Sequence, residues 1–164
     1  RTAHIVLVTA GSWAVGGVES TVRLLAKSPD LLVVVLCGRD EQLHEQLTGS
    51  ERVLAVPWTT DAAAYLSAAD VVVDHAGGLT CWEALASRTP VLLFRPLPGH
   101  GRFNAATLAA AGLVRWVQRD EELAPAVSVS VVAERRGRLP DPNAAKDAVE
   151  CILAAANRVE AAVP

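Results

Sequence analysis

The stretch DHAGGLTCWEALA, residues 74–86, decides the fold because it combines a strand end, a glycine turn and a helix start. The residues before it, 69–73, form a short apolar run typical of a strand that is buried on both faces. Gly77 and Gly78 allow the backbone to turn tightly and to approach a ligand without a Cβ in the way. The first N–H groups of the next helix lack partners within that helix, so the segment predicts an anion site of a size that suits a diphosphate.

Two residues inside this segment carry further predictions. Thr80 is predicted to cap a helix over residues 81–87. Glu83 lies one turn into that helix, where its carboxylate can accept hydrogen bonds from two neighbouring hydroxyls, as a ribose offers. A glycine turn of this kind also occurs in α/β proteins without a ligand, and Glu83 can simply favour the helix dipole. The segment by itself leaves both explanations open.

Strand-like and helix-like segments alternate along the rest of the chain. Strands are predicted over 4–8, 31–36, 52–56, 70–73, 90–94 and 113–117. Helices are predicted over 18–26, 40–47, 62–68, 81–87, 103–111 and 120–136, and a final amphipathic helix starts at Asp141. Asp61 is the expected N-cap of the third helix, and Gly112 is expected to close the helix that precedes it. This alternation predicts an α/β fold, a doubly wound Rossmann-like parallel sheet of about six strands with helices on both faces, which binds its ligand at the carboxyl ends of the strands.

Composition limits the classes of partner. The 164 residues are 51% hydrophobic, which suffices for one well-buried domain, and we expect residues 1–164 to form a single domain. The net charge of −3, without a basic patch, argues against nucleic acid and against a polybasic membrane anchor. No apolar stretch approaches the roughly 20 residues of a membrane span. The three cysteines, widely spaced and without a zinc pattern, are predicted to be buried free thiols in a reducing compartment.

Three further loops are predicted to meet the glycine turn at the same edge of the sheet. Residues 11–17, GSWAVGG, form a strand-to-helix loop that can floor a phosphate or sugar pocket, although it matches neither a dinucleotide nor a Walker motif. An aromatic at the exit of the third strand can stack on a planar base, and the loop 96–104 presents hydrogen-bonding groups. The candidate binding residues in these loops are Gly11, Ser12, Trp58, Thr59, Gly99, His100 and Asn104. Trp13 is either a contact or a core residue, and we interpret His4, His44, Trp82 and Trp116 as structural.

The order of these motifs resembles the C-terminal, donor-binding half of GT-B glycosyltransferases. The pattern is a glycine loop, Trp-Thr at the third strand, AGGLTxxEALA at the fourth, then PVLLxxPLPG and a following Asn-Ala. It is similar to the monogalactosyldiacylglycerol synthases, the processive diacylglycerol glucosyltransferases and the N-acetylglucosaminyltransferase of lipid II synthesis. The resemblance extends to about Gly112, and residues 70–104 are its most specific part.

The resemblance implies a role for each matching residue. The acid of the motif binds the ribose in that family, which assigns Glu83, and the strand exit contacts uracil, which assigns Trp58 and Thr59. The diphosphate is held by backbone N–H groups, which assigns Gly78, Leu79 and Thr80, and Gly77 of the turn is a further candidate donor-binding residue. Where the family carries a glutamine and a glutamate that touch the donor sugar, this chain has His100 and Gly101. That departure leaves the identity of the sugar open.

His75 is a separate candidate. The pattern His-Ala-Gly, followed after five residues by a glutamate, also resembles the sugar transferases that act on macrolides and other natural products, in which such a histidine touches the donor phosphate. The resemblance therefore gives His75 the role of stabilising the departing diphosphate. Alternatively, His75 only caps the end of its strand.

The resemblance also implies an overall activity, the transfer of a hexose from a UDP-sugar or another NDP-sugar to an acceptor hydroxyl, for example on a lipid. It implies no cofactor besides the donor and no metal, in keeping with the absence of a D-x-D pair. An N-terminal acceptor-binding domain would be the partner, outside this chain, so the isolated domain is expected to bind the donor without turnover. The implied location is the cytoplasm, with peripheral contact at the inner face of the membrane through that missing domain.

Two other classes of function remain open. A sugar-nucleotide epimerase of similar architecture would need further acids for proton transfer, which the sequence does not place. A non-catalytic domain of the same fold, which binds nucleotide or a partner, is favoured by the departures at His100 and Gly101.

Overall fold

The computed structural model describes residues 4–135, in which six parallel strands form one sheet. The strands are His4–Thr9 (β1), Leu31–Leu36 (β2), Val53–Val56 (β3), Val71–Asp74 (β4), Val91–Phe94 (β5) and Arg115–Val117 (β6). The helices are Val18–Leu25 (α1), Glu41–Leu47 (α2), Ala62–Ala68 (α3), Leu79–Ala86 (α4), His100–Ala110 (α5) and Asp120–Arg135 (α6). The sheet order is β3-β2-β1-β4-β5-β6, the doubly wound order of two mononucleotide-binding halves. The predicted fold class is confirmed.

The helices cover both faces of the sheet. Apolar side chains of α1, α2 and α6 pack in one core cluster, while those of α3, α4 and α5 pack in the other. The central strands contribute to both clusters, and for example Val71 and Val72 are fully buried on opposite faces. This explains the unbroken apolar runs of these strands, since a strand covered on both faces has no solvent-facing position.

The carboxyl ends of β1 and β4 lie side by side. Thr9 is paired with Asp74, the last residues of the two strands, and strand order reverses between these two strands. Ligands of doubly wound sheets bind in the crevice outside such a reversal point. Residues 11–17, here called the glycine loop, leave the sheet on one side of this point. Residues 74–78, here called the central turn, leave it on the other.

Two predicted helix starts are wrong. Helix α4 begins at Leu79, with Gly78 as its N-cap, so Thr80 is already inside the first turn and cannot cap it. Gly78 has φ −99° and ψ −145°, and as a glycine it has no side chain with which to cap the helix. Helix α5 begins at His100, three residues before the predicted Phe103, because Gly99 (φ +81°, ψ −124°) adopts a conformation that glycine reaches easily and starts the helix there.

Several local predictions hold. Gly112 has φ +71°, and its N–H and that of Leu113 bond back to Ala109 and Leu108, which is the expected glycine-terminated helix end. Asp61 is the N-cap of α3 by position, but its side chain makes no cap; its own N–H donates to Thr59 Oγ1 at 3.0 Å.

Of the three cysteines, Cys37 and Cys81 are free and buried as predicted, and burial raises the pKa of Cys81 to about 12. Cys151 and the helix predicted from Asp141 lie outside the described residues. Within residues 4–135, no helix is long and apolar enough to cross a membrane.

Candidate functional site

A cleft of about 250 Å³ opens at the carboxyl ends of the strands, between the glycine loop, the exits of β2 and β3, and the start of α4. It brings together seven of the predicted site residues: Gly11, Ser12, Trp58, Thr59, Leu79, Thr80 and Glu83. Thr9, Leu36, Gly38, Pro57 and Ala62 complete the lining. The exposed ring of Trp58, after the edge strand β3, lies at one end of the cleft. The start of α4, after the central strand β4, lies at the other.

The central turn is built around a buried carboxylate. Asp74 is fully buried, and its Oδ2 accepts a hydrogen bond from Gly77 N–H at 2.7 Å. Burial raises the pKa of Asp74, while the backbone of Gly77, Ala76 and His75 acts in the opposite direction. Asp74 was not among the residues predicted from the sequence, although an Asp directly before a glycine turn is a recognised turn-forming signal.

Helix α5 contacts the central turn through Asn104 and stabilises its conformation. Asn104 Nδ2 donates to Gly77 O at 3.2 Å, and a Cβ on Gly77 would lie 3.2 Å from Asn104 Cβ. Gly77 also has φ +63°, so both its conformation and its close contact favour glycine. The amide of Asn104, predicted to bind donor, is therefore already engaged in holding the turn. Gly99 and His100 lie at the exposed start of α5 and do not line the cleft.

The start of α4 leaves backbone donors free. Among the described residues, the N–H groups of Gly78, Leu79 and Thr80 have no hydrogen-bond acceptor. Leu79 and Thr80 also line the cleft. Free N–H groups together with the positive end of the helix dipole stabilise an anion at this position. These three residues are the ones that the sequence predicted to hold the diphosphate.

Glu83 stands one turn further along α4, exposed and on the wall of the cleft. Within residues 4–135 its carboxylate makes no hydrogen bond or ion pair. Both of its oxygens are therefore available to a pair of hydroxyls on a molecule in the cleft.

The glycine loop is held in place by the turn after β2, which the sequence analysis did not identify. Gly38 has φ +60°, and a Cβ there would lie 2.4 Å from the carbonyl oxygen of Ser12. The next residue, Arg39, donates its N–H to that same oxygen at 2.7 Å. The sequence signal for this turn is a glycine, Gly38, placed two residues before the N-cap of α2. That N-cap is Asp40, whose side chain accepts a hydrogen bond from Leu43 N–H at 2.9 Å.

One end of the cleft, lined by Pro57, Trp58 and Thr59, lies at the exit of the edge strand β3. The Trp58 side chain is 49% exposed. The guanidinium carbon of Arg39 lies 4.4 Å from the centroid of the Trp58 ring, in a cation–π contact. Trp13 in the glycine loop is 68% exposed, so the interpretation of Trp13 as a core residue is wrong.

His75 lies underneath the glycine loop and does not line the cleft. Its side chain is fully buried, and neither ring nitrogen has a hydrogen bond. A Cβ on Gly16 would lie 3.5 Å from His75 Cβ, which places the loop directly over the ring. Burial lowers the pKa of His75 to about 4, although the backbone of Arg95 and Gly16 favours the protonated form. The ring is therefore neutral near pH 7.

Three of the residues interpreted as structural fit that interpretation, whereas the structural role of His44, half-buried on α2, stays a prediction. His4 Nδ1 lies 3.7 Å from Asp70 Oδ2, and Trp82 and Trp116 pack half-buried against the core. In the part of the chain that the structure describes, no group of three or more His, Cys, Asp or Glu side chains is placed to hold a metal ion.

Comparison with known proteins identifies the family. The model of the glycosyltransferase family 28 C-terminal domain matches residues 5–156. The chain belongs to this family. A processive diacylglycerol beta-glucosyltransferase of Bacillus thuringiensis (strain Al Hakam) is 31% identical over 131 residues, which cover 75% of this chain and 33% of that protein. The corresponding enzyme of Bacillus cereus (strain AH820) is 30% identical with the same coverage. The predicted resemblance to these glucosyltransferases is confirmed.

Solved structures agree on the fold. The glycotransferase of kitacinnamycin superposes with a TM-score of 0.65 at 24% identity, over 99% of this chain and 44% of the other. The spinosyn rhamnosyltransferase superposes with a TM-score of 0.64 at 15% identity, over 92% of this chain and 46% of the other. The chain spans about a third of the length of the curated relatives that it matches.

Proposed function

We propose that this chain is the donor-binding domain of a glycosyltransferase that transfers a hexose from a UDP-sugar, or another NDP-sugar, to an acceptor hydroxyl. The observation that carries the proposal is that three kinds of group meet at one cleft. They are the free N–H groups at the start of α4, the free carboxylate of Glu83 and the exposed ring of Trp58. These groups match the diphosphate, the ribose and the base of one nucleotide, in that order. The family to which the chain belongs consists of glycosyltransferase domains.

The chemistry of this domain is the stabilisation of the leaving group. As the bond from the sugar to the diphosphate breaks, negative charge grows on the diphosphate, next to the N–H groups of Gly78, Leu79 and Thr80. Donors that are already oriented by a helix stabilise such charge without reorganisation. The carboxylate of Glu83 holds the ribose and thereby fixes the distance of the diphosphate from α4. His75 can take part only if the glycine loop moves away from its ring.

The acceptor and its binding site are proposed to lie in an N-terminal domain that pairs with this one. The chain spans about a third of its curated relatives, which leaves ample length for such a domain. The relatives are named for diacylglycerol, so we propose a lipid acceptor, with the enzyme in the cytoplasm and peripheral at the inner face of the membrane. The donor would need no further cofactor.

A non-catalytic nucleotide-binding domain is the second candidate. Gly101 is buried, and a Cβ there would lie 3.2 Å from Leu97 Cβ, so this position carries no side chain that can reach a donor sugar. UDP-sugars that differ only in the sugar would bind such a domain with the same affinity. An active donor domain would discriminate between them, because it also contacts the sugar.

Calorimetry with UDP tests the proposal. Glu83→Ala removes two charge-assisted hydrogen bonds, so the affinity should fall by roughly ten- to a hundredfold. Glu45→Ala, an exposed glutamate on α2, is the matched control and should bind as the unmodified chain does. An unchanged affinity of Glu83→Ala would refute the assignment of the ribose site.

A further inference from the structure

Arg39 connects three loops of the binding edge. Its backbone N–H donates to Ser12 O at 2.7 Å, which ties it to the glycine loop after β1. Its guanidinium lies 4.4 Å from the centre of the Trp58 ring, which ties it to the exit of β3. Arg39 itself follows β2. A single residue therefore contacts both the aromatic ring and the glycine loop that lines the cleft.

The charge of Arg39 is not used elsewhere in the described part of the chain. Its guanidinium makes no ion pair with an acidic side chain among residues 4–135, and the neighbouring carboxylate of Asp40 is engaged in capping α2. With the guanidinium in place, the Trp58 side chain is still 49% exposed and lines the cleft. The indole thus carries a cation on part of its surface and keeps another part open to a ligand.

We propose that Arg39 is a positioning residue for the nucleobase, which holds the Trp58 ring as a preformed stacking surface. This inference rests on the proposed function, because it assumes that the ligand in the cleft is a nucleotide. An exposed ring at a loop loses rotational freedom when a base stacks on it, and that loss weakens binding. A ring already held by a cation–π contact loses less, so part of the cost of ordering is met before the ligand arrives.

The alternative role for a free arginine at a nucleotide site is attraction of the phosphates through space. The two roles give different results with UMP and UDP. A residue that orients the ring affects both ligands equally, since they share the base. A residue that attracts phosphate affects UDP more, and salt screens its effect.

The experiment measures UDP and UMP affinity by calorimetry for the 164-residue chain, Arg39→Gln, Trp58→Leu and the double variant. Arg39→Gln should weaken both ligands by about three- to tenfold, with the same ratio at low and high salt. In the Trp58→Leu background, Arg39→Gln should have no further effect, because the ring that it positions is gone. The matched control is Arg115→Gln on β6, an exposed arginine at the opposite edge of the sheet, which should bind as the unmodified chain does.

Three results would each overturn this inference but not the proposed function. Arg39→Gln could bind UDP as the unmodified chain does, or its effect could add fully to that of Trp58→Leu. The third such result is an effect of Arg39→Gln that is confined to UDP and disappears at high salt. In each of these cases the unmodified chain binds UDP and Glu83→Ala weakens it, so the proposed function stands. If the unmodified chain binds no UDP, the proposed function and this inference both fail.

Discussion

The two ends of the cleft are built in different ways. The end that we propose for the diphosphate, here called the diphosphate end, lies at the central turn in the middle of the sheet, where Asp74 and His75 are fully buried and Gly77 is held from two sides. The end that we propose for the base, here called the base end, lies at the edge strand β3, where Trp58 is half exposed and its one described side-chain partner is the exposed Arg39. The first end is part of the core, whereas the second is attached to its surface.

This difference separates stability from affinity. Substitutions at the diphosphate end disturb buried polar groups, so they should change the free energy of unfolding as well as binding. Substitutions at the base end disturb exposed contacts, so they should change binding with little effect on unfolding. Three predictions test whether the separation is real.

The largest effect on stability is expected from Asp74→Ala. It removes the acceptor of Gly77 N–H, the 2.7 Å hydrogen bond that shapes the central turn, and leaves a cavity in its place. We expect a loss of roughly 3 kcal/mol or more, measured by urea denaturation. Asp74→Asn keeps an acceptor oxygen and removes the cost of burying a charge, so it should be clearly more stable than Asp74→Ala. Equal losses for the two variants would contradict the role given to the hydrogen bond.

The second prediction concerns acid stability. The pKa of His75 is about 4 in the folded chain and ordinarily 6.5, so between these values the unfolded chain binds more protons. Stability should therefore fall as the pH drops from 6.5 towards 4, by roughly 3 kcal/mol in total from this residue. Asp74 has the opposite effect on stability. Because its pKa is raised in the folded chain, its contribution to the free energy of unfolding grows as the pH falls towards its ordinary pKa.

The measurement is the free energy of unfolding as a function of pH for the unmodified chain and for His75→Gln. Because Asp74 and all other groups are common to both, the difference between the curves isolates His75. His75→Gln should lack the acid-dependent loss, whatever its stability at pH 7. His44→Gln, on the half-buried surface of α2, is the control and should keep it. Parallel curves for His75→Gln and the unmodified chain would show that the ring is not buried in its neutral form.

The smallest effect on stability is expected at the base end. Trp58→Ala should change the free energy of unfolding by less than about 1 kcal/mol, since the ring is half exposed. The same variant should weaken UDP binding by roughly 1–3 kcal/mol, the usual value of stacking between a base and an aromatic side chain. Urea denaturation and calorimetry on one preparation give both numbers. A variant that loses stability like Asp74→Ala would place Trp58 in the core and remove the distinction between the two ends.

The same difference determines what could be predicted from the sequence. The strands and the central turn were predictable, because β1, β2, β4 and β5 are covered on both faces and are therefore apolar except at end residues such as His4, Thr9 and Asp74. Seven candidate residues meet in the cleft because the carboxyl ends of parallel strands share one edge. These are consequences of topology, which the alternation of strands and helices already specifies.

The details that could not be predicted depend on contacts between distant segments or on the conformation of a single glycine. Gly78 rather than Thr80 is the N-cap of α4, and α5 begins earlier than predicted, directly after Gly99. The backbone angles of these two glycines determine where each helix begins. His75 is buried because the glycine loop folds over it, and Arg39 meets Trp58 across two strand exits. No local pattern encodes these contacts, since they arise only when the loops are assembled on the sheet.

The most direct test of the proposed site is backbone chemical-shift mapping of the chain during titration with UDP. We expect the amides of Gly78, Leu79 and Thr80 to shift together with the indole N–H of Trp58, because one molecule spans both ends of the cleft. Glu83→Ala should need a higher UDP concentration to give the same shifts. Shifts confined to a second cleft, lined by Arg95, Pro96, Arg102, Trp116, Val117 and Gln118, would contradict the proposed site, as would the absence of any shift at the start of α4.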